Sequence, residues 1–142
     1  MLHNIHLITL FPPLFDALNY GVVGRAISKK TIGIECFNPR ACDDNKHRRV
    51  EERPLGGGAG MVMMVEPILN CIKDLQKERV YDELIYMTPD GELFDQHIAN
   101  QLSLKGNILI LCGHYKGLDQ RIRYHIITRV ISIGRYVLSG GE

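Results

Sequence analysis

Residues 107–117 read NILILCGHYKG. A short, nearly continuous apolar run passes directly into a loop bounded by glycines. Such a run, with little polar alternation, fits a strand buried on both faces, as in a parallel sheet. The pattern occurs twice more. Glu83–Thr88 (ELIYMT) runs into Pro89-Asp90-Gly91, and Val130–Ile133 (VISI) runs into GRYVLSGG, residues 134–141. Three apolar strands each lead into a glycine-containing loop.

Working outward, the rest of the chain supplies more strands and the helices between them. His3–Leu10 reads as a strand, and Pro12 and Pro13 fit the first turn of a short helix over Leu14–Leu18. Gly21 and Gly24 punctuate the approach to a second helical run, Arg25–Lys30. Ile32–Phe37 is a strand ended by Asn38-Pro39. Helical spacing covers Pro67–Lys77, Leu93–Leu104 and Leu118–Ile127, with Asp119 placed to open the last. This alternation predicts an α/β domain with a mostly parallel sheet flanked by helices. In such sheets ligands bind beyond the carboxyl ends of the strands. The loops Thr88–Gly91, Gly113–Gly117 and Gly134–Gly141 are therefore expected together at one edge. Ile133, Tyr136 and Leu138 suit a slot for an apolar, planar ligand, with backbone amides to hold it.

Composition narrows the function classes. The 142 residues are enough for one domain with a buried core. With a net charge of +1, any contact with nucleic acid must come from a local patch. The longest apolar stretches fall well short of the roughly 20 residues a membrane helix needs. The N-terminus, MLHNIHLITLF, lacks a basic region and a small-residue cleavage site, so it reads as a strand and not a signal peptide. Cys36, Cys42, Cys71 and Cys112 have no CxxC spacing and read as reduced, small hydrophobes of a cytoplasmic protein. Cys36, Cys42 and His47 lack the clustering that zinc needs, and no metal is expected.

Arg40–Met61 has no period, and an aperiodic stretch of that length is usually functional or disordered. Within it, KHRRVEERP (46–54) offers Arg48 and Arg49 as a guanidinium pair for phosphates. RPLGGGAGMVMM (53–64) has glycine enough for close approach to a ligand. It is not a phosphate-binding P-loop, because no Gly-Lys-Ser/Thr precedes a helix. The Gly56–Gly60 loop is expected to be mobile without ligand, with Met61, Met63 and Met64 docking it on the core. His114 is either a general base or a merely exposed loop residue.

Taken together, YGVVGRA (20–26), RRVEERPLGGGAGMVMMVEP (48–67), MTPDG (87–91), LCGHYKGLDQRI (111–122) and SIGRYVLSGGE (132–142) resemble the bacterial tRNA (guanine-37-N1)-methyltransferases. These belong to the SPOUT superfamily of knotted methyltransferases. The resemblance runs from the first strand to the last residue. It implies a trefoil knot on the C-terminal side, a rare exception to the rule against threading. It also implies transfer of a methyl group from S-adenosylmethionine, bent in the knot, to N1 of guanine 37 in tRNA. The implied donor pocket comprises Tyr86, Met87, Thr88 and Pro89, then Gly113, then Ile133, Gly134, Arg135, Tyr136, Val137, Leu138, Gly140 and Gly141. Arg25, Arg48 and Gly58 match positions beside the RNA. An obligate homodimer with the active site between subunits is implied as well.

Three departures qualify that pattern. Arg135 stands where the family has an aspartate, which puts a cation at the lip of a pocket for a cationic donor. His114 and Lys116 replace an arginine and a glutamate. In the family, SGGE leads into a helix that completes the knot and then into a tRNA-gripping domain. The aspartate that takes the N1 proton, and an arginine that assists it, lie there. Residues 1–142 are therefore expected to be a donor-binding domain with the knot left incomplete and the catalytic base beyond Glu142. Such a chain binds donor without methylating tRNA. Two other readings compete: a non-catalytic remnant that keeps the fold, and a nucleotide- or small-molecule-binding α/β module.

Overall fold

The structure is a computed structural model that describes residues 2–42, 51–52, 62–63, 65–113 and 117–142. Its centre is a five-stranded sheet in which every pairing is parallel. The strands are β1 (His3–Ile8), β2 (Ile32–Phe37), β5 (Glu83–Leu93), β6 (Asn107–Cys112) and β7 (Arg129–Ser132). They lie in the order β2-β1-β6-β5-β7. A small antiparallel pair, β3 (Glu51–Glu52) and β4 (Val62–Met63), stands apart. The helices are α1 (Gly21–Ser28), α2 (Val65–Gln76), α3 (Gln96–Ser103) and α4 (Gln120–His125), with 3-10 turns at Pro12–Asn19 and Pro39–Cys42.

Both faces of the sheet are covered, as the apolar runs require. On one face Ile8, Leu84, Tyr86, Leu109 and Leu111 pack against Ile68 and Ile72 of α2 and Ile122 of α4. On the other, Ile85, Ile108 and Ile131 pack against Ile98 of α3. Leu84 and Ile85 thus go to opposite sides, the two-residue alternation of a strand. Ile8, Ile68 and Ile122 have no accessible surface. Burial of each such side chain stabilises the fold by about 1.5–3 kcal/mol.

The helix ends follow local chemistry. The Asp95 carboxylate accepts from the Ile98 amide at 2.9 Å and caps α3. Asp119 accepts from the Arg121 amide at 2.9 Å and caps α4. Both helices are shorter than their apolar spacing suggests, because these caps fix the first turn two residues or more inside the periodic run. The glycines of residues 20–26 are not mere punctuation, since α1 begins at Gly21. Gly21 has φ +66°, a left-handed turn that glycine adopts freely. A Cβ on Gly24 would lie 2.2 Å from the Asn19 carbonyl oxygen, so the helix packs on the preceding turn only without a side chain there.

The largest departure from the sequence reading is in β5. Pro89-Asp90-Gly91 does not end the strand. Met87 and Glu92 both pair with Ile131 of β7, so Thr88–Gly91 is thrown out as a bulge and pairing then resumes. Pro89 has no N–H for a ladder. Gly91 lies so close to β7 that a Cβ would be 2.7 Å from the Ile131 backbone. The proline breaks the pairing and the glycine allows it to restart.

Candidate functional site

Beyond the carboxyl ends of β5, β6 and β7 lies a cavity of about 550 Å³. That is within the common range for small-molecule and cofactor sites. Described residues of all three glycine-containing loops meet here, although they come from chain positions up to about 50 residues apart.

The β5 side is built from Tyr86, Met87, Thr88 and Pro89. Tyr86 is 3% exposed. Burial pushes its phenol above the ordinary value, against hydrogen bonding to Thr88 and the nearby Arg123 charge. The β6 side is built from Cys112, Gly113 and Gly117. A Cβ on Gly113 would come within 2.7 Å of the Tyr86 ring, so the glycine lets the strand end lie flat on that ring. Burial, with the Glu142 carboxylate and Cys36 adding to it, pushes the Cys112 thiol up to about 12. It is therefore a neutral, apolar wall and not a nucleophile.

The third side is the segment 133–142, which crosses the strand ends like a strap. Ser132 starts it: its hydroxyl donates to the Gly134 carbonyl at 2.7 Å and accepts from the Gly134 amide at 3.2 Å. The Tyr136 ring folds over Gly134, where a Cβ would be 2.1 Å from a ring carbon. The strap then returns across the sheet. The Gly141 amide donates to the Gly113 carbonyl at 2.8 Å, and Glu142 accepts from the Thr9 hydroxyl of the segment after β1 at 2.6 Å. Thr9 is wholly buried and also accepts from the Phe11 amide.

Every residue that the resemblance assigns to the donor pocket lines this cavity except Arg135, which is exposed and is not among the lining residues. Its chain neighbours Gly134 and Tyr136 both line the cavity, so Arg135 stands next to the lining in sequence. Leu7, Phe15, Ile110, Cys112, Ile131, Ser132 and Glu142 also line the cavity and were not anticipated. Ser132 had a signal, since it precedes Ile133, whereas Leu7, Ile110 and Ile131 are core strand positions that reach the cavity through the sheet. Phe15, from the first 3-10 turn, had none. Arg25 lies on α1, away from the cavity lining. Arg48, Gly58, the Gly56–Gly60 loop, His47, His114 and Lys116 lie outside the described residues.

Two carboxylates near the site, Asp90 and Asp119, are poor proton acceptors. Asp90 accepts from the Thr88 hydroxyl at 2.7 Å and from Arg123 at 2.9 Å, and these hold its carboxyl below the usual range. Asp119 is likewise held low by its hydrogen bonds with Arg121. A carboxylate with a lowered pKa is a weaker base. Glu142 is the one charged residue lining the cavity among the described residues, and its Oε1 is engaged by Thr9.

Fold and cavity together define a class: a parallel α/β protein whose ligand pocket is made by loops at the carboxyl ends of three adjacent strands. Comparison with known proteins is more specific. The profile of the family described as "tRNA (Guanine-1)-methyltransferase TrmD" matches residues 3–142. The chain belongs to that family. Among its relatives, the tRNA (guanine-N(1)-)-methyltransferase of Flavobacterium psychrophilum is 55% identical over 98% of this chain and 62% of its own length. That of Bacteroides fragilis is 53% identical over the same shares. The crystal structure of a tRNA (m1G37) methyltransferase from Aquifex aeolicus superposes with a TM-score of 0.90 at 31% identity, covering 99% of this chain and 64% of that one. The chain thus spans under two thirds of the length of these relatives.

Proposed function

We propose that these residues form the S-adenosylmethionine-binding domain of a cytoplasmic tRNA methyltransferase that modifies N1 of guanine 37. The observation that carries this reading is the cavity itself. Described residues of the three loops that the family's donor site calls for line one pocket, of a volume common to cofactor sites. Family membership and the relatives' names supply the reaction and the nucleic acid.

The chain's own groups suit binding and orientation more than proton transfer. Glycines at positions 113, 134 and 141 bring backbone close to the cavity, and Tyr86, Ile131 and Leu138 offer apolar surface for a purine. S-adenosylmethionine, when bound, supplies an electrophilic methyl on a sulfonium. Methyl transfer needs N1, the methyl carbon and the sulfur in line, which is a matter of positioning. N1 of guanine carries a proton, so a general base assists. Asp90 and Asp119 are held too acidic for that role, and the base is proposed to come from another part of the protein.

A homodimer, with Arg25, Arg48 and Gly58 assigned to RNA binding by the resemblance, completes the proposal. Exposed apolar side chains support the dimer: Leu14, Tyr20 and Val22 in or beside α1, and Val137 and Leu138 on the strap. A trefoil knot is part of the proposal by resemblance to the family.

Calorimetry of the chain with S-adenosylmethionine is the test. Saturable binding that S-adenosylhomocysteine displaces is expected. Absence of heat at millimolar donor would overturn the reading.

A further inference from the structure

The bulge Thr88–Gly91 walls the cavity, yet its own ladder pairing is interrupted. Something else must fix its shape. Two arginines bracket it. Arg123 of α4 donates from Nη2 to Asp90 Oδ2 at 2.9 Å, at the apex of the bulge. Arg129 of β7 donates from Nη2 to Glu92 Oε1 at 3.0 Å, where pairing resumes. The two clamps are not equivalent. Arg129 also reaches Gln101 of α3 at 2.9 Å and sits in the ladder, so it secures a segment already paired. Arg123 holds the unpaired part.

Arg123 has a second contact that ties it to the cavity. Its guanidinium carbon lies 5.9 Å from the centre of the Tyr86 ring, within cation–π range. Tyr86 lines the cavity, and Gly113 and Gly117 rest against its ring and hydroxyl. Asp90 in turn accepts from Thr88, another lining residue. Arg123 therefore reaches two cavity walls, one through Asp90 and Thr88 and one through the Tyr86 ring. Neither Arg123 nor Asp90 lines the cavity.

We propose that Arg123 is a positioning residue. By holding Asp90 and Tyr86 it fixes the Thr88–Gly91 bulge in the shape that receives the ligand, and so sets ligand affinity without touching the ligand. The proposal rests on the reading of this cavity as the S-adenosylmethionine site. The planar guanidinium is suited to the task, because it can stack on a ring and donate to a carboxylate at once.

The test uses the variants Arg123→Met, Asp90→Asn, the double variant, and Lys77→Met. The last removes another exposed ion pair, to Asp74 on α2, away from the cavity. Amide hydrogen exchange is followed at Thr88, Asp90, Gly91 and Glu92 without ligand, and donor affinity is measured by calorimetry. In Arg123→Met, exchange at those amides is expected to quicken while α2 and β6 stay protected. Donor affinity should fall about fivefold, the upper range for one exposed charge pair. The double variant should bind no more weakly than Arg123→Met, and Lys77→Met should match the wild type in both readings. Unchanged exchange in Arg123→Met overturns the proposal whatever the affinity does. Quickened exchange with wild-type affinity overturns the link to the ligand. If the wild type does not bind the donor, the reading of the cavity falls, and exchange alone decides whether Arg123 holds the bulge.

Discussion

Two glycines at the site face different neighbours, and substitution should separate them. A Cβ on Gly91 meets the Ile131 backbone at 2.7 Å, and a paired strand cannot retreat. Gly91→Ala should destabilise by about 1–3 kcal/mol, the usual cost of overpacking. The shift in urea midpoint measures it. The atoms nearest a Cβ on Gly134 belong to the ring of Tyr136, a side chain that is 54% exposed and not held by backbone pairing. Gly134→Ala should leave the midpoint within about 0.5 kcal/mol of wild type. The displaced ring borders the cavity, so donor affinity should fall. Equal losses of stability in both variants would contradict this distinction.

His6 is the other residue with a measurable signature. It is 4% exposed, its Nδ1 lies 2.6 Å from the Tyr81 hydroxyl, and its ring packs on Phe37. Burial, helped by the Arg79 charge, lowers its pKa, while Glu35 and Glu78 pull the other way. Burial pushes Tyr81 up to about 12, so that hydroxyl remains a donor and neutral Nδ1 its acceptor. The unfolded chain therefore binds a proton more readily than the folded one. Stability is full above the ordinary histidine value of about 6.5 and declines as pH falls below it, down through the lowered folded value. Urea midpoints at pH 7.5 and 5.5 should differ in that direction. The difference should shrink in His6→Gln.

At the scale of elements, the strands were more legible than the helices. Val130–Ile133 and Asn107–Cys112 could be placed because both faces of a parallel strand are apolar, and that leaves an uninterrupted run. The helix limits were overestimated because Leu93, Leu104 and Ile127 continue the apolar spacing past the caps. Asp95 decides where α3 starts, and Asp95→Ala should destabilise by about 1 kcal/mol, read by chemical denaturation. The β5 bulge was only half legible. Pro89 and Gly91 signal a break in regular pairing, but the return to β7 is set by residues some 40 positions on. The 3-10 turn that brings Phe15 to the cavity is an arrangement no periodicity announces.

For the whole molecule, the three loops at one sheet edge follow from the alternating pattern and a general rule about parallel sheets. That much of the site was readable from strand ends alone. The strap's path was not, because contacts such as Thr9 with Glu142 join residues 133 apart in sequence. Under the proposed reading the strap would make donor binding a global matter, since it connects β7, β6 and the end of β1 around one cavity. Ligand at about 100 times its dissociation constant should therefore raise the stability of the entire fold by about 2.7 kcal/mol. Thermal denaturation with and without S-adenosylmethionine would show it, as one cooperative shift and not the stiffening of a single loop.

The strand order also sets a timetable for synthesis. β1 takes its place between β2 and β6, and Asn4 meets Asn107 across 103 residues. On a ribosome that adds about 5–20 residues per second, β1 waits about 5–20 s for that neighbour. β2 arrives early and occupies one edge. The other edge, with Ile5 and Leu7, stays open through that interval. An open strand edge is a template for pairing with another chain. The nascent polypeptide is thus most vulnerable to aggregation in the interval before β6 emerges, and shielding of its first ten residues by a chaperone would matter most then.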